Sequence, residues 1–145
     1  MILYLDSSAL LKLFVSEPGS EAVNNAVAGA GAVATHLIAY AEMRATFAKA
    51  ERMRRVDAAG LKQILAEFEL RWARMDVLAA TEPLVRRAGD LAHRHGLRGY
   101  DSVHLAAVLA LRDAAGGQAE VRFGVFDVQL RQAAFAHDVS LLPAD

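Results

Sequence analysis

No cysteine occurs among the 145 residues, which excludes disulfides and thiolate-held metals and suits a cytoplasmic protein. Long hydrophobic runs are lacking too. Each apolar stretch is broken by Arg, Asp or His well short of the roughly 20 residues that a membrane helix needs, so no membrane span is expected. Asp6 interrupts the opening run with no basic leader before it, and a secretory signal is therefore not expected. Nor does one sign of charge dominate. Lys plus Arg number 16 against 17 Asp plus Glu, a net charge of -1, so nucleic-acid binding would have to come from local patches rather than a global positive field. Only three of the 16 basic residues are Lys, a bias that high-GC coding explains as well as phosphate recognition does. No internal repeat, low-complexity tract or linker is visible. What is present is 54% hydrophobic residues, enough to bury a real core, and residues 1–145 read as a single domain.

The pattern alternates short strands with helices. Ile2–Leu5 is a continuous apolar run ending in Asp6-Ser7-Ser8, the mark of a buried parallel strand feeding a helix that Ser7 or Ser8 would cap. A turn at 16–21 leads to a helix with Val23 and Val27 inward. Residues 32–35 form a second strand, after which Thr35 or His36 would cap a long helix reaching about Arg54. Asp57 opens the next helix, where Leu61, Ile64, Leu65, Phe68, Trp72 and Met75 recur at the three- and four-residue steps of one face. Further strands are expected at 76–79, 121–126 and 139–142, and helices at 82–95, 101–115 and 127–136. Gly96 ends one of these helices. Such alternation implies right-handed crossovers and a parallel sheet covered on both faces, hence an α/β fold.

Four carboxylates stand at the boundaries of these elements. Asp6 and Asp127 follow strands, Asp101 begins a helix, and Glu42 lies one to two turns into another. In an open parallel sheet the loops leaving the carboxyl ends of the strands share one edge, so all four acids can face one crevice. Two like charges 4 Å apart repel by about 4 kcal/mol at an effective dielectric of 20, so an empty cluster must protonate, stay wet or bind a cation. Oxygen-only ligands suit Mg²⁺ or Mn²⁺, the usual device for hydrolysing a phosphodiester with an activated water. Taken singly, each acid has a plainer use as a helix cap or solvated loop residue.

Four segments carry a family resemblance: Tyr4-Leu-Asp6-Ser-Ser8-Ala-Leu-Leu, Ala39-Tyr-Ala-Glu42-Met-Arg, His95-Gly-Leu-Arg-Gly-Tyr-Asp101-Ser-Val-His104-Leu-Ala-Ala and Val125-Phe-Asp127. In these, and along its whole length, the chain resembles the PIN-domain ribonucleases, specifically the VapC toxins of toxin–antitoxin pairs. The resemblance implies a three-layer α/β/α sandwich around a short, mainly parallel five-stranded sheet with a protruding helical hairpin. It implies that Asp6, Glu42, Asp101 and Asp127 are the catalytic acids that hold Mg²⁺ or Mn²⁺ for cleavage of RNA. It implies, too, a homodimer and a small antitoxin protein that blocks the site. One departure stands out. The family commonly has Thr or Ser two residues before the last Asp, where this chain has Val125; the lost hydroxyl would weaken metal binding or shift its role onto Ser8.

Other residues are weighed against plainer uses. Ser8 would hydrogen-bond Asp6 or a substrate phosphate, or merely cap a helix. His104 lies one turn after Asp101 and is expected to be a satisfied buried histidine rather than a substrate contact. Arg98 is the best candidate for an RNA phosphate contact. Lys49, Arg52, Arg54 and Arg55 complement a helix C-terminus, and Trp72 belongs to a core or dimer face. The helix from Asp101 is expected to show a second apolar side suited to a protein partner. Competing functions are a receiver-like signalling domain, opposed by the lack of any Lys beyond Lys62, and a catalytically weak module of the same fold acting mainly through protein or nucleic-acid binding.

Overall fold

In the computed structural model, which describes residues 1–144, the chain runs β1 (Ile2–Leu5), α1 (Ser7–Leu11), α2 (Ser20–Gly29), β2 (Ala32–His36), α3 (Ile38–Arg52), α4 (Ala58–Trp72), β3 (Asp76–Leu78), α5 (Glu82–His95), α6 (Gly99–Ala115), β4 (Val121–Gly124), α7 (Val128–Phe135) and β5 (Ser140–Leu142). The strands form one sheet in the order β3-β2-β1-β4-β5, and every neighbouring pair is parallel. Strand β1 is central, with Leu3, Tyr4 and Leu5 fully buried, as expected of a strand covered on both faces.

The faces divide by the alternation of side chains along β1. Leu3 and Leu5 point toward α1–α4, packing with Leu10, Met43, Phe47 and Phe68. Tyr4 points the other way, among Leu105, Leu109, Phe123 and Leu130 from α6, β4 and α7. Three layers result. The α3–α4 hairpin is anchored by Phe68, whose ring stands 5.5–5.6 Å from those of Phe14, Tyr40, Phe47 and Trp72, while Met53 near its tip is exposed. Trp72 thus packs, partly buried, against the core on the apolar face of α4.

Close approach explains one glycine. A Cβ on Gly124 would stand 2.6 Å from Leu5 Cδ2 and 3.5 Å from Ala9 Cβ, so its bare backbone lets Leu5 and α1 pack down beside the end of β4. Gly96 takes the left-handed conformation (φ 64°) that closes α5, and the chain turns at once into α6.

Several expectations change in detail. Helix α1 begins at Ser7 and its cap is Asp6, not Ser7 or Ser8, because the Asp6 carboxylate accepts from Ala9 N–H. Thr35 does not cap α3; its hydroxyl donates to the Leu5 carbonyl, and His36 Nδ1 accepts from Ile38 N–H instead. Strand β4 ends at Gly124, three residues before Asp127. The expected second apolar side on α6 is not free. Ser102, His104, Leu105, Ala106, Ala107, Val108 and Leu109 are all buried, because α6 is sandwiched between the sheet, α5 and α7. No helix is long and apolar enough to cross a membrane among the described residues.

Candidate active site

The strand order reverses beside β1: the chain passes from β1 to β2 on one side, and β4 is added on the other. Loops leaving the carboxyl ends of β1 and β4 therefore diverge, and ligands of open parallel sheets bind in the crevice between such loops. Here that crevice is a cleft of about 340 Å³ lined by Asp6, Ser7, Ser8, Glu42, Arg98, Asp101, His104, Phe126 and Asp127. All four acids singled out in the sequence border it, with Ser8 and Arg98. A depression of about 460 Å³ between α1, α3 and α4 is lined mainly by apolar side chains such as Leu11, Phe14, Phe47 and Ile64, and the carboxylate it includes, Glu17, is paired with Lys12.

Local structure fixes each acid. Asp6 caps α1: its Oδ1 accepts from Ala9 N–H at 2.8 Å and from the Ser8 hydroxyl at 2.8 Å. Asp127 caps α7 in the same manner, Oδ1 accepting from Leu130 N–H at 2.9 Å. Both uses follow from the unpaired N–H groups of a helix start, which favour a short acceptor at the cap. Glu42 projects from the second turn of α3, and its Oε1 takes hydrogen bonds from the Ser7 hydroxyl at 2.7 Å and from His104 Nε2 at 3.0 Å. Asp101, in the first turn of α6, accepts through Oδ2 from Arg98 Nε at 3.0 Å. Arg98 itself is exposed, lying over the mouth of the cleft.

A pattern emerges from these bonds. In every one of the four carboxylates, one oxygen is held by the protein and the other has no hydrogen-bond partner among the described residues: Asp6 Oδ2, Glu42 Oε2, Asp101 Oδ1 and Asp127 Oδ2. Helix caps alone need only the first oxygen. The electrostatics bear the mark of crowding. Burial pushes the Asp6 carboxyl above its ordinary value, with nearby Asp101 adding to the rise and His104, Ala9 N–H and Ser8 opposing it. Burial would raise Glu42 as well, but hydrogen bonds from His104 and Ser7 outweigh it and hold that carboxyl low. Asp101, first by its hydrogen bond and then by its charge, raises the Arg98 guanidinium.

Among the described residues, no three acidic or histidine side chains form a ready-made cation shell. The donor set nevertheless fits a hard divalent ion. All the free donors are carboxylate oxygens, and Mg²⁺ usually keeps several waters while using only one or two carboxylates directly. A thiolate- or imidazole-rich metal finds no match here.

Three participants escape a reading of the sequence. Ser7 holds Glu42, where the pattern drew attention to Ser8. Tyr4, fully buried, points its hydroxyl at His104 Nδ1, 2.8 Å away. Among the described residues, His36 Nε2, buried at the end of β2, has no partner in bonding geometry, and burial pushes the His36 pKa down. Only His104 carried a signal, its one-turn spacing from Asp101. It is buried and satisfied as expected, with the addition that it also touches Glu42. Val125 is fully buried within the apolar cluster behind the cleft, and its side chain is not among those lining it.

Comparison with known proteins identifies the family and the fold. Residues 3–135 match the PIN domain family. The chain is 33% identical over 143 residues to Ribonuclease VapC45 of Mycobacterium tuberculosis (strain CDC 1551 / Oshkosh), covering 99% of this chain and 96% of that one. In fold it is similar to FitAcB from Neisseria gonorrhoeae, with a TM-score of 0.67 at 19% identity over 97% of this chain and 96% of that one. A toxin–antitoxin complex from Klebsiella pneumoniae aligns with a TM-score of 0.62 at 13% identity over 86% of each chain.

Proposed function

The chain belongs to the PIN-domain family, and from that membership we propose that it is a Mg²⁺- or Mn²⁺-dependent endoribonuclease, the toxin of a toxin–antitoxin pair. The observation that carries this reading is the set of four carboxylates around one cleft, each with an oxygen left unbonded by the protein. A whole-length relative named as a ribonuclease supports RNA as the substrate. Fold likeness to a toxin–antitoxin complex supports a small antitoxin partner. The whole chain then acts as one domain in the cytoplasm, as a homodimer.

In this mechanism Asp6, Glu42, Asp101 and Asp127 would hold the divalent ion, whose chemistry there would be to make a water more acidic and to offset charge on the phosphate and the leaving oxygen. The protein supplies position. Helix caps fix Asp6 and Asp127, and Ser8 steadies Asp6 from the side. Arg98, exposed at the mouth, exchanges its bond to Asp101 for a phosphate oxygen of the RNA backbone, a charge-assisted contact that orients the strand without reading its sequence. No side chain of nucleophilic type with an adjacent base is required, so the reaction proceeds without a covalent enzyme intermediate.

The test is cleavage of purified RNA with Mg²⁺ or Mn²⁺ and with chelator. Activity should need the ion and vanish in Asp101→Asn with the fold intact. A fully active, folded Asp101→Asn protein, or full activity in excess chelator, sinks the proposal. Among the described residues no preassembled cation shell occurs and Arg98 is paired to Asp101, which favours a second reading: a weakly catalytic module working mainly by binding. That reading expects no ion-dependent cleavage and no ion-induced rise in stability.

A further inference from the structure

Tyr4 and His104 are 100 residues apart, yet their side chains meet behind the cleft at 2.8 Å. Tyr4 lies on the central strand with no exposed surface, and His104 on α6 is 1% exposed. Among the described residues the Tyr4 hydroxyl has no other hydrogen-bond partner, which leaves His104 Nδ1 as the acceptor for its proton. A buried hydroxyl proton with no acceptor is costly, which assigns Nδ1 as acceptor and places the ring proton on Nε2. That N–H points at Glu42 Oε1, 3.0 Å away. The opposite tautomer would aim a nitrogen lone pair at a carboxylate oxygen and strand the Tyr4 proton. Donors therefore run in one direction, from the sheet interior through the imidazole to the acid at the cleft.

Ser7 completes the arrangement by donating to the same Oε1 at 2.7 Å, with its Oγ also 3.3 Å from His104 Nε2. Glu42 has a long side chain whose freedom must be lost before it can serve a fixed site. With Oε1 taken twice, its remaining oxygen, Oε2, is the one left for the cleft. The ring of His104 is steadied in turn by the edge-on contact of Tyr4, whose centroid is 5.9 Å away.

We propose that Tyr4 and His104 are positioning residues: together they fix the Glu42 carboxylate so that Oε2 alone is presented to the cation, the Tyr4 hydroxyl acting through the imidazole by donating to Nδ1 and holding the ring in place. The role of Glu42 toward a cation rests on the function proposed above; the run of hydrogen bonds from Tyr4 through His104 to Glu42 does not. Outer groups that orient a metal ligand typically change affinity by about 10–100-fold when removed.

Two measurements on the full chain test it. Nitrogen-15 NMR of the His104 ring in metal-free protein should show the proton on Nε2, and Tyr4→Phe should leave it there while the Nδ1 resonance shifts as its hydrogen bond is lost. Mn²⁺ titration, followed by the electron paramagnetic resonance signal of the free ion, should show binding weakened about tenfold or more in Tyr4→Phe and His104→Leu. His104→Gln, which restores an N–H for Glu42 and a carbonyl for Tyr4, should recover most of the loss. A proton on Nδ1 in the wild type, or unchanged Mn²⁺ affinity in folded Tyr4→Phe, overturns the proposal. Should RNA survive every condition while the tautomer and Mn²⁺ pattern hold, the nuclease assignment falls and the aiming of Glu42 stands.

Discussion

Arg98 Nε lies 3.0 Å from Asp101 Oδ2, one turn away along the start of α6, so the cleft carries its own removable counter-ion. The pair is exposed on the arginine side, and exposed ion pairs contribute roughly 0–1 kcal/mol to stability. Arg98→Gln is therefore expected to leave the melting temperature nearly unchanged while freeing Asp101. Mn²⁺ affinity should hold or rise, and RNA affinity should fall. If Arg98 takes one phosphate, the slope of log affinity against log salt should become shallower by about 0.7, the value per phosphate for single strands. An unchanged slope in filter binding with a non-cleavable RNA would remove Arg98 from the interface.

Asp6 is expected to cost the metal-free protein stability. Burial raises its pKa above the ordinary 3.8, so the folded chain holds that proton more tightly than the unfolded one. Its contribution falls as pH climbs from the unfolded value through the raised folded one. Asp6→Asn keeps a cap acceptor of equal quality and removes the charge. In chelator at neutral pH it should gain on the order of 1 kcal/mol, or about 3 °C. Added Mn²⁺ should stabilise the wild type by mass action and the variant little. A less stable Asp6→Asn protein in chelator would show that the buried charge is already compensated.

Glu42 runs in the opposite sense. Its folded pKa lies below the ordinary 4.5, so its contribution is complete above that value and is lost as pH falls through the lowered one. Glu42→Gln should flatten the acid limb of the stability curve, measured by denaturant midpoints from pH 3 to 6, without steepening the neutral limb. An acid limb identical to wild type would mean that the His104 and Ser7 bonds do not hold the carboxylate in solution.

These residues also show what could be read before any coordinates. The strand-and-helix order was legible because β1 is a continuous apolar run and α4 repeats its apolar face from Leu61 to Trp72. Asp6, Asp101 and Asp127 declared themselves by position, since a boundary acid in an α/β chain must lie at an element end. Glu42 needed the strand order as well. The Tyr4–His104 contact was not legible. It joins residues on different elements across 100 positions, and no local period encodes such a meeting. The outward face expected on α6 failed for a related reason: an Ala-rich helix packed on three sides looks like one with a spare surface until its neighbours are known.

Val125 bears on the one departure from the family pattern. Its side chain has no exposed surface and sits with Tyr4, Phe123 and Leu130 in the apolar cluster rather than on the cleft wall. Introducing a hydroxyl there by Val125→Thr places an oxygen in apolar surroundings, a change of polarity at nearly constant volume. The expected cost is about 1–2 kcal/mol by denaturant titration, with Mn²⁺ affinity raised by less than threefold. A gain of tenfold or more in affinity would show that the hydroxyl reaches a carboxylate and that valine does weaken the site.

Phe68 supplies the last prediction, because it separates fold from chemistry. It is fully buried and central to the ring cluster that ties α4 to α3 and to Phe14 in the turn after α1, yet it does not border the cleft. Phe68→Ala should cost about 3–5 kcal/mol, a large share of the roughly 5–15 kcal/mol that keeps a domain folded. Phe68→Leu keeps most of the volume and should cost about 1–2 kcal/mol, leaving enough folded protein to assay. Glu42 stands five residues before Phe47 on the same helix, and Phe47 packs edge-on against Phe68 at 5.6 Å. The carboxylate nonetheless takes its bonds from Ser7 and His104, neither of which belongs to this cluster. Mn²⁺ affinity per folded molecule should therefore match the wild type in Phe68→Leu. Equal losses of stability and affinity would mean instead that the aromatic cluster, and not the hydrogen bonds at the cleft, sets where Glu42 stands.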